Sequence, residues 1–177
     1  MLNHLYLTGY RGTGKTSVGT LVAAAMGREM IDLDARVQAH AGRSIREIFQ
    51  DSGETGFRDL ESEMLRVVAA ESPAVVSLGG GAILRAENRA ILRASGNCIW
   101  LVATAETLAN RIAADVATTA NRPALTSLGV LDEIRQMLET RQPLYADAAD
   151  LSIDTSAKSI KQVSDEIVRV CRDRSWC

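Results

Sequence analysis

The chain has 177 residues, which is enough for one domain with a sizeable core and too few for two ordinary domains. Hydrophobic residues make up 46% of it and charged residues 24%, proportions typical of soluble globular proteins. The net charge of -2 and the 4% aromatic content exclude a global basic field and a base-stacking platform, so we expect neither nucleic acid nor an acidic membrane as a partner.

The cysteines and the start of the sequence bear on its compartment. The three cysteines lack the spacing of metal ligands, and Cys98 falls in an apolar run that predicts a core position. The sequence begins on a predicted strand without a basic and apolar leader, and no apolar run reaches the ~18 residues that span a bilayer. We therefore expect a cytoplasmic protein. We further expect it to be a monomer.

The first predicted strand, residues 5–7, leads into a glycine-rich loop and then a helix. The loop reads Gly9-Tyr10-Arg11-Gly12-Thr13-Gly14-Lys15-Thr16, which matches the phosphate loop, or Walker A, pattern. Its glycines let backbone N–H groups turn toward a phosphate, and the helix N-terminus adds its positive dipole. A glycine turn that fits by chance is the alternative, but both flanks favour a nucleoside triphosphate, foremost ATP.

The second half of this loop and the first residue after it have expected roles. Lys15 can reach the terminal phosphates, and the Thr16 hydroxyl can bind Mg²⁺. We assign phosphate binding to Gly12, Thr13, Gly14, Lys15, Thr16 and Ser17.

Residues 29–34 predict a second short strand that ends in Asp32 and Asp34. If the strand continues through both residues, their side chains leave the same face. One carboxylate could then accept from a magnesium-bound water, and the other could point toward an acceptor hydroxyl. The alternative is a pair of solvated acids or a helix N-cap at the strand end. Beside a phosphate loop, we favour the functional interpretation.

The next segment predicts helices. Residues 35–41 end at Gly42, and the spacing of Ser44 and Glu47 is that of a capping box. Gly53 begins a further helical stretch whose apolar stripe is Phe57, Leu60, Met64, Leu65 and Val68. Arg58 and Glu61 lie beside this stripe, three residues apart, so their side chains can meet.

After Pro73, residues 74–78 form a continuous apolar run typical of a buried parallel strand. The triple glycine Gly79-Gly80-Gly81 follows. It is either a flexible turn or a place where backbone N–H groups approach a ligand, and we favour the ligand. Helices are predicted over 86–95 and 106–114, with a strand over 98–102 between them.

The end of the chain continues the alternation of helices and strands. Residues 115–127 lack periodicity and predict a mobile loop or lid, followed by a helix over 131–140, a strand over 151–153 and a helix over 160–172. Five strands separated by helices predict one α/β domain with a three-layer α/β/α fold and a five-stranded parallel sheet. Ligands bind beyond the carboxyl ends of such strands. The three segments that follow strands one, two and three should therefore converge, and they are the glycine-rich loop, Asp32 with Asp34, and the triple glycine.

Several arginines could complete a site, and the histidines are not expected to. Arg122, within the predicted lid, could place its guanidinium on the transferring phosphate. Arg111 could stack on an adenine or bind phosphate, and the forked donors of Arg58 and Arg141 suit a carboxylate. The two histidines, His4 and His40, are expected at the surface or at helix caps.

Taken together, these motifs resemble the shikimate kinases, in the nucleoside monophosphate kinase-like branch of the phosphate-loop proteins. The resemblance spans nearly the whole chain. It rests on the phosphate loop, Asp32-x-Asp34, Phe57-Arg58 with Glu61, the triple glycine, Arg122-Pro123 and the stretch Arg141-Gln142-Pro143-Leu144-Tyr145.

The resemblance implies a reaction. The γ-phosphate of ATP would move to the 3-hydroxyl of shikimate, giving shikimate 3-phosphate in the chorismate route to aromatic amino acids.

The resemblance also implies roles for individual residues. Asp34 would hold and could deprotonate the hydroxyl, Arg58 and Arg141 would clamp the substrate carboxylate, and Gly80 and Gly81 would offer backbone contacts. Lys15 and Arg122 would neutralise the phosphoryl group, Thr16 and a water on Asp32 would hold Mg²⁺, and Arg111 would face the adenine.

Two other functions stay open at this point. A kinase for another small hydroxy acid, such as gluconate, could use the same scaffold, and the carboxylate clamp is the feature that favours shikimate over it. A nucleotide-dependent switch without an acceptor substrate is the other alternative, although no segment of the chain is left over for a partner domain.

Overall fold

Five parallel strands form one sheet in the computed structural model, which describes residues 3–114 and 129–176. The strands are β1 (His4–Thr8), β2 (Met30–Asp32), β3 (Val75–Ser77), β4 (Gly96–Val102) and β5 (Leu151–Asp154). Their order in the sheet is β2-β3-β1-β4-β5, so β1 lies at the centre between β3 and β4. The predicted α/β class and the five-stranded parallel sheet are confirmed.

Helices connect these strands and cover both faces of the sheet. They are α1 (Lys15–Met26), α2 (Leu33–Ala41), α3 (Ile45–Ala69), a 3₁₀ helix (Ala82–Leu84), α4 (Ala86–Ser95), α5 (Ala105–Ala114), α6 (Val130–Ala148) and α7 (Ile160–Asp173). Among the described residues, no helix is both long enough and apolar enough to cross a membrane.

The core follows from the period of two along each strand. On β1, Tyr6 packs with α3, α4 and α6 on one face, whereas Leu5 and Leu7 pack with α1 and α7 on the other. Cys98 of β4 is 2% exposed and belongs to the Tyr6 side, as predicted. Burial raises the pKa of its thiol, which keeps it neutral in this apolar position. The three-layer arrangement is therefore built from alternating side chains.

The second strand is shorter than predicted. It ends at Asp32, whose carboxylate accepts a hydrogen bond from the backbone N–H of Ala35 at 3.1 Å and so caps α2. The prediction of a strand through Asp34 is therefore wrong, and Asp34 lies in the first turn of α2. The helix-cap alternative is correct for Asp32. The Asp32 carboxylate bonds a backbone N–H at the start of α2, which favours a helix. The alternation of Asp32 and Asp34 had predicted an extended chain at the same place.

Helix α3 contains a sharp break at the predicted position. Gly53 has φ 65° and ψ -171°, a conformation that favours glycine and separates two helical segments. Before it, Ser44 and Glu47 form the predicted capping box, in which each side chain bonds the other residue's backbone N–H. The break turns the second segment so that its apolar stripe, including Phe57 and Leu65, packs into the core.

Helix α6 is longer than predicted and runs through Pro143 to Ala148. The prediction ended this helix at residue 140, ahead of Pro143. An interior proline removes a backbone hydrogen bond at a cost of about 3 kcal/mol. Tyr145 and Ala148, one turn and more beyond, are buried in the core, and their burial offsets this cost. As a result Arg141 and Tyr145 lie on one helix, four residues apart.

His4 is also not where the sequence suggested. It lies within β1, only 3% exposed, and its Nδ1 accepts a hydrogen bond from the backbone N–H of Ala74 at 3.2 Å. The expectation of a surface or cap position is therefore wrong for His4. His40 lies near the end of α2, is largely exposed and is 3.6 Å from Glu63, which agrees with the expectation.

Candidate functional site

The phosphate loop connects β1 to α1 and is held by its own hydrogen bonds. Gly12 and Gly14 have φ values of 82° and 88°, which favour glycine, and Gly14 is the N-cap of α1. The Thr13 hydroxyl donates to the Tyr10 carbonyl at 2.8 Å. The Lys15 ammonium donates to the carbonyls of Gly9 and Tyr10 at 2.9 and 3.0 Å. The loop thus surrounds the N-terminus of α1 with glycine turns and a cation, as anion binding requires.

A cavity of about 510 Å³ opens beside this loop, at the carboxyl ends of β1, β2 and β3. The predicted convergence of the three segments is confirmed, because residues from all of them line it. Of the residues predicted for the site, it is lined by Lys15, Thr16, Asp32, Asp34 and Gly80. Gly79 of the predicted ligand loop and Arg11 of the phosphate loop also line it, although neither was given an individual role. The remaining lining residues were not predicted for the site, and they are Gln38, Ser44, Ile45, Arg46, Ser77 and Leu78.

Three oxygen-bearing side chains meet at the floor of the phosphate loop. The Thr16 hydroxyl donates to Asp32 Oδ2 at 2.9 Å and lies 3.3 Å from the Ser77 hydroxyl. Hydroxyl and carboxylate oxygens are the ligands that Mg²⁺ prefers, and Mg²⁺ at nucleotide sites takes few of them from protein. The described residues contain no cluster of three His, Cys, Asp or Glu side chains able to hold a metal. The two hydroxyls and the Asp32 carboxylate fit a magnesium ion that takes its other ligands from water and a nucleotide.

Asp34 reaches the cavity from α2 rather than from a strand. A Cβ atom added to Gly79 would lie 2.6 Å from Asp34 Oδ1 and 2.7 Å from Glu61 Oε1. Only a residue without a side chain at position 79 lets both carboxylates approach the backbone this closely. The first glycine of the triplet therefore sets the position of Asp34, which the sequence pattern did not reveal.

Arg58 and Arg141 approach the triple-glycine loop (Gly79, Gly80 and Gly81) from two helices. Arg58 donates to Glu61 at 2.7 Å, as predicted, and its guanidinium occupies the space where a side chain on Gly81 would be. Arg141 Nη1 lies 3.4 Å from the Gly80 carbonyl oxygen. The structure thus brings both predicted clamp arginines to one loop. Arg58, Gly81 and Arg141 are not among the residues that line the cavity itself.

The predicted adenine residue lies on the other side of the phosphate loop. Arg111 donates to the Thr155 carbonyl at 2.6 Å and to its hydroxyl at 3.0 Å, and it lies 3.3 Å from the Gly12 carbonyl. It therefore joins the segment after β5 to the phosphate loop. Ser17 is exposed on the first turn of α1. The binding roles of Arg111 and Ser17 stay predictions.

Two tertiary contacts of the site have no signal in the sequence pattern. Arg11, at a variable position of the loop motif, donates to Glu133 of α6 at 3.0 Å, and their side chains are only 16% and 3% exposed. The Tyr145 hydroxyl donates to the Gly80 carbonyl at 2.6 Å. Tyr145 belongs to a motif noted in the sequence, but its contact could not be read from spacing.

The predicted lid over residues 115–127, including Arg122, lies outside the residues that the structure describes. The assignment of Arg122 to the transferring phosphate stays a prediction that rests on the family resemblance.

The fold and the site together define a phosphate-loop protein of the kinase type. A model of the family described as shikimate kinase matches residues 11–172. A shikimate kinase from Rhodopirellula baltica is 43% identical over 166 residues, which cover 94% of this chain and 89% of the relative. The chain therefore belongs to the shikimate kinase family, and it is a transferase that uses ATP.

Solved structures agree with this placement. A shikimate kinase from Acinetobacter baumannii in complex with shikimate has a TM-score of 0.90 at 32% identity, over 98% of this chain and 95% of that one. A gluconokinase from Sinorhizobium meliloti has a TM-score of 0.59 at 17% identity, over 99% of this chain and 97% of that one. The second likeness shows a shared fold and nothing further about gluconate.

Proposed function

We propose that this chain transfers the γ-phosphate of ATP to the 3-hydroxyl of shikimate, giving shikimate 3-phosphate for aromatic amino acid biosynthesis. One observation carries the proposal. A single cavity joins Lys15 and Thr16 of the phosphate loop to Asp34, and its glycine wall is flanked by two arginines. A phosphate donor and a carboxylate-bearing acceptor would meet there.

Asp34 is proposed to hold the acceptor hydroxyl and to take its proton as the oxygen attacks the γ-phosphorus. Gly79 leaves room for the Asp34 carboxylate at the cavity wall, so Asp34 and the phosphate loop line the same cavity. Phosphoryl transfer depends on such positioning more than on covalent chemistry. As the O–P bond forms, the bond from the γ-phosphorus to the leaving ADP oxygen breaks.

Lys15 and the magnesium donors are proposed to act on the phosphates. The Lys15 ammonium, next to the Gly9 and Tyr10 carbonyls, would neutralise charge on the transferring group. The Thr16 hydroxyl would hold Mg²⁺ directly and Asp32 would hold it through a water. When bound, the ion neutralises charge on the phosphate oxygens.

The carboxylate of the acid is proposed to bind between Arg58 and Arg141. Both guanidiniums lie at the triple-glycine loop, and a forked donor suits a carboxylate. Backbone N–H groups of Gly80 and Gly81 would add uncharged donors. This clamp is the part of the site that selects a ring acid over other alcohols.

The proposal includes a monomeric, cytoplasmic enzyme with two small-molecule partners, ATP and shikimate. Support for the monomer is that one chain supplies the phosphate loop, Asp34 and both clamp arginines. The cytoplasmic location is proposed because ATP is available there.

The test is a coupled ADP-release assay over a panel of hydroxy acids that includes shikimate and gluconate, with and without Mg²⁺. We expect turnover with shikimate that depends on Mg²⁺, and a product whose phosphate is on the 3-oxygen by NMR. Turnover of gluconate without turnover of shikimate would overturn the proposed substrate. ADP release that no acid stimulates would favour the nucleotide-dependent switch instead.

A further inference from the structure

The three carbonyl groups of the triple-glycine loop have different kinds of partner. The Gly79 and Gly81 carbonyls accept from the backbone N–H groups of Ala82 and Leu84, both at 3.0 Å, within the adjoining 3₁₀ helix. The Gly80 carbonyl accepts instead from α6. Its partners are the Tyr145 hydroxyl at 2.6 Å and Arg141 Nη1 at 3.4 Å. The middle carbonyl is therefore oriented by a tertiary contact rather than by local structure.

Tyr145 is itself fixed in place. Its side chain is fully buried, and its ring stacks on that of Trp100 of β4, with centroids 5.5 Å apart and planes 16° apart. Burial raises the pKa of the phenol to about 12, so the hydroxyl keeps its proton at neutral pH and acts as a donor. Arg141 lies one turn earlier on the same helix, so α6 presents a fixed hydroxyl and a cation to one carbonyl oxygen.

The geometry of the peptide group extends this contact into the substrate site. In a planar trans peptide the C=O and N–H groups point in opposite directions. The Gly80 carbonyl and the Gly81 N–H belong to one such group, so fixing the first fixes the second. On its other side, Gly81 faces the Arg58 guanidinium. The orientation of the Gly81 N–H, beside the Arg58 guanidinium, is therefore linked to the two hydrogen bonds that α6 donates to the Gly80 carbonyl, and the Tyr145 hydroxyl makes the shorter of them.

We propose that Tyr145 is a positioning residue for the acid substrate, because its hydroxyl aims the Gly81 N–H at the acid that Arg58 and Arg141 bind. This inference rests on the proposed function. Tyr145 touches neither the acid nor the nucleotide in this role. Its effect is confined to binding of the acid, so the KM for shikimate should change while the chemical step does not.

The experiment compares Tyr145→Phe with Tyr6→Phe. Tyr145→Phe removes the hydroxyl and keeps the stacked ring, and we expect the KM for shikimate to rise about fivefold to tenfold. We expect kcat and the KM for ATP to stay within about twofold, because the substitution leaves the Asp34 carboxylate and the phosphate loop unchanged. Tyr6 is the matched control, because it is also fully buried and its hydroxyl bonds Ser95 Oγ at 2.7 Å, and neither residue lines the cavity.

A purely structural role predicts a different result. Both variants lose one buried hydroxyl, so both should melt at a somewhat lower temperature, and melting is measured for each. If Tyr145→Phe behaves like Tyr6→Phe, with lower melting temperature and unchanged KM for shikimate, the positioning role is wrong. Equal changes in the two KM values and kcat would also overturn it.

The wild-type enzyme separates this inference from the proposed function. Turnover of shikimate by the wild type tests the function alone. If the wild type phosphorylates a different acid of the panel, the proposed substrate is wrong, and the KM for that acid then decides the role of Tyr145. If it phosphorylates no acid, the proposed function fails and the positioning role fails with it.

Discussion

Gly79 shows how much of the site depends on one missing side chain. The Asp34 and Glu61 carboxylates both lie where its Cβ would be, and an alanine there would have to displace them. The sequence predicted a ligand-binding role for the triple glycine, but from the freedom of its backbone N–H groups. The structural reason at position 79 is space for two carboxylates, which depends on tertiary packing and so has no counterpart in local spacing.

We expect Gly79→Ala to lower kcat for shikimate phosphorylation by about 10²-fold, because a displacement of Asp34 by about 1 Å misaligns the acceptor oxygen. The KM for ATP should change little. Gly129→Ala is the matched control, since among the residues that the structure describes no heavy atom lies within 4 Å of its added Cβ, and its φ of -60° suits any residue. Steady-state kinetics of both variants make the comparison. A Gly79→Ala enzyme with wild-type kcat would show that Asp34 tolerates displacement.

Asp34→Asn tests the proton acceptor directly. The amide keeps the size of the side chain but cannot take a proton, so we expect kcat to fall by about 10²–10⁴-fold. ATP binding, measured by calorimetry, should be unchanged because the phosphate loop is intact. Asp165→Asn removes an exposed carboxylate on α7 and should leave kcat unaltered. Retention of most of the activity in Asp34→Asn would mean that this residue only aligns the hydroxyl.

Arg58→Lys tests the carboxylate clamp without leaving Glu61 unbalanced. Lysine keeps the charge beside the buried Glu61 but loses the fork, so we expect the KM for shikimate to rise about tenfold or more. The KM for ATP should stay near the wild-type value. Arg66→Lys, at an exposed ion pair with Glu87, is the control. An unchanged KM for shikimate in Arg58→Lys would remove Arg58 from the clamp.

At the scale of elements, α6 is the helix that connects the two halves of the site. Glu133 in its first part pairs with Arg11 of the phosphate loop, and Arg141 and Tyr145 further along contact the triple-glycine loop. The sequence predicted only residues 131–140 of α6, because nothing in the local pattern indicates that a helix continues through Pro143. Likewise it extended β2 to Asp34, because period-two alternation outweighed the capping ability of Asp32.

We expect Glu133→Gln to lower the free energy of unfolding by about 2 kcal/mol, because the Arg11 guanidinium loses its charged partner where both side chains are mostly buried. Glu106→Gln is the matched control. Glu106 also accepts from an arginine, Arg135, but both side chains are exposed, so the ion pair contributes little. Urea denaturation of both variants measures the difference. Equal unfolding midpoints would show that the Arg11–Glu133 pair does not stabilise the fold.

At the scale of the whole molecule, the class of fold and the edge of the sheet that carries the site were predictable. Alternating strands and helices led to a parallel sheet, and the rule that ligands bind at carboxyl ends located the convergence of three loops. The contacts that complete the site were not predictable. Tyr145 and Gly80 are 65 residues apart, and Arg11 and Glu133 are 122 apart, so only the folded chain shows these partners.

His4 makes the stability of the whole protein depend on pH. Burial lowers its pKa below the ordinary value near 6.5, so below about pH 6.5 the unfolded chain takes up a proton that the folded chain resists. The free energy of unfolding should therefore fall as the pH drops from about 7.5 to about 5.5. We expect a smaller fall in His4→Asn, measured by denaturant titration at both pH values. His40→Asn, at an exposed position, should show the wild-type fall, and an identical fall in all three proteins would exclude His4 as the cause.

The central place of β1 has a consequence for the synthesis of the protein. Its two neighbours, β3 and β4, come much later in the chain, with Leu5 pairing to Val75 on one side and to Asn97 on the other. The strand that supports the phosphate loop therefore gains its first neighbour only when β3 has emerged from the ribosome, and its second only when β4 has emerged as well. A nascent chain that ends before β4 should therefore not retain ATP.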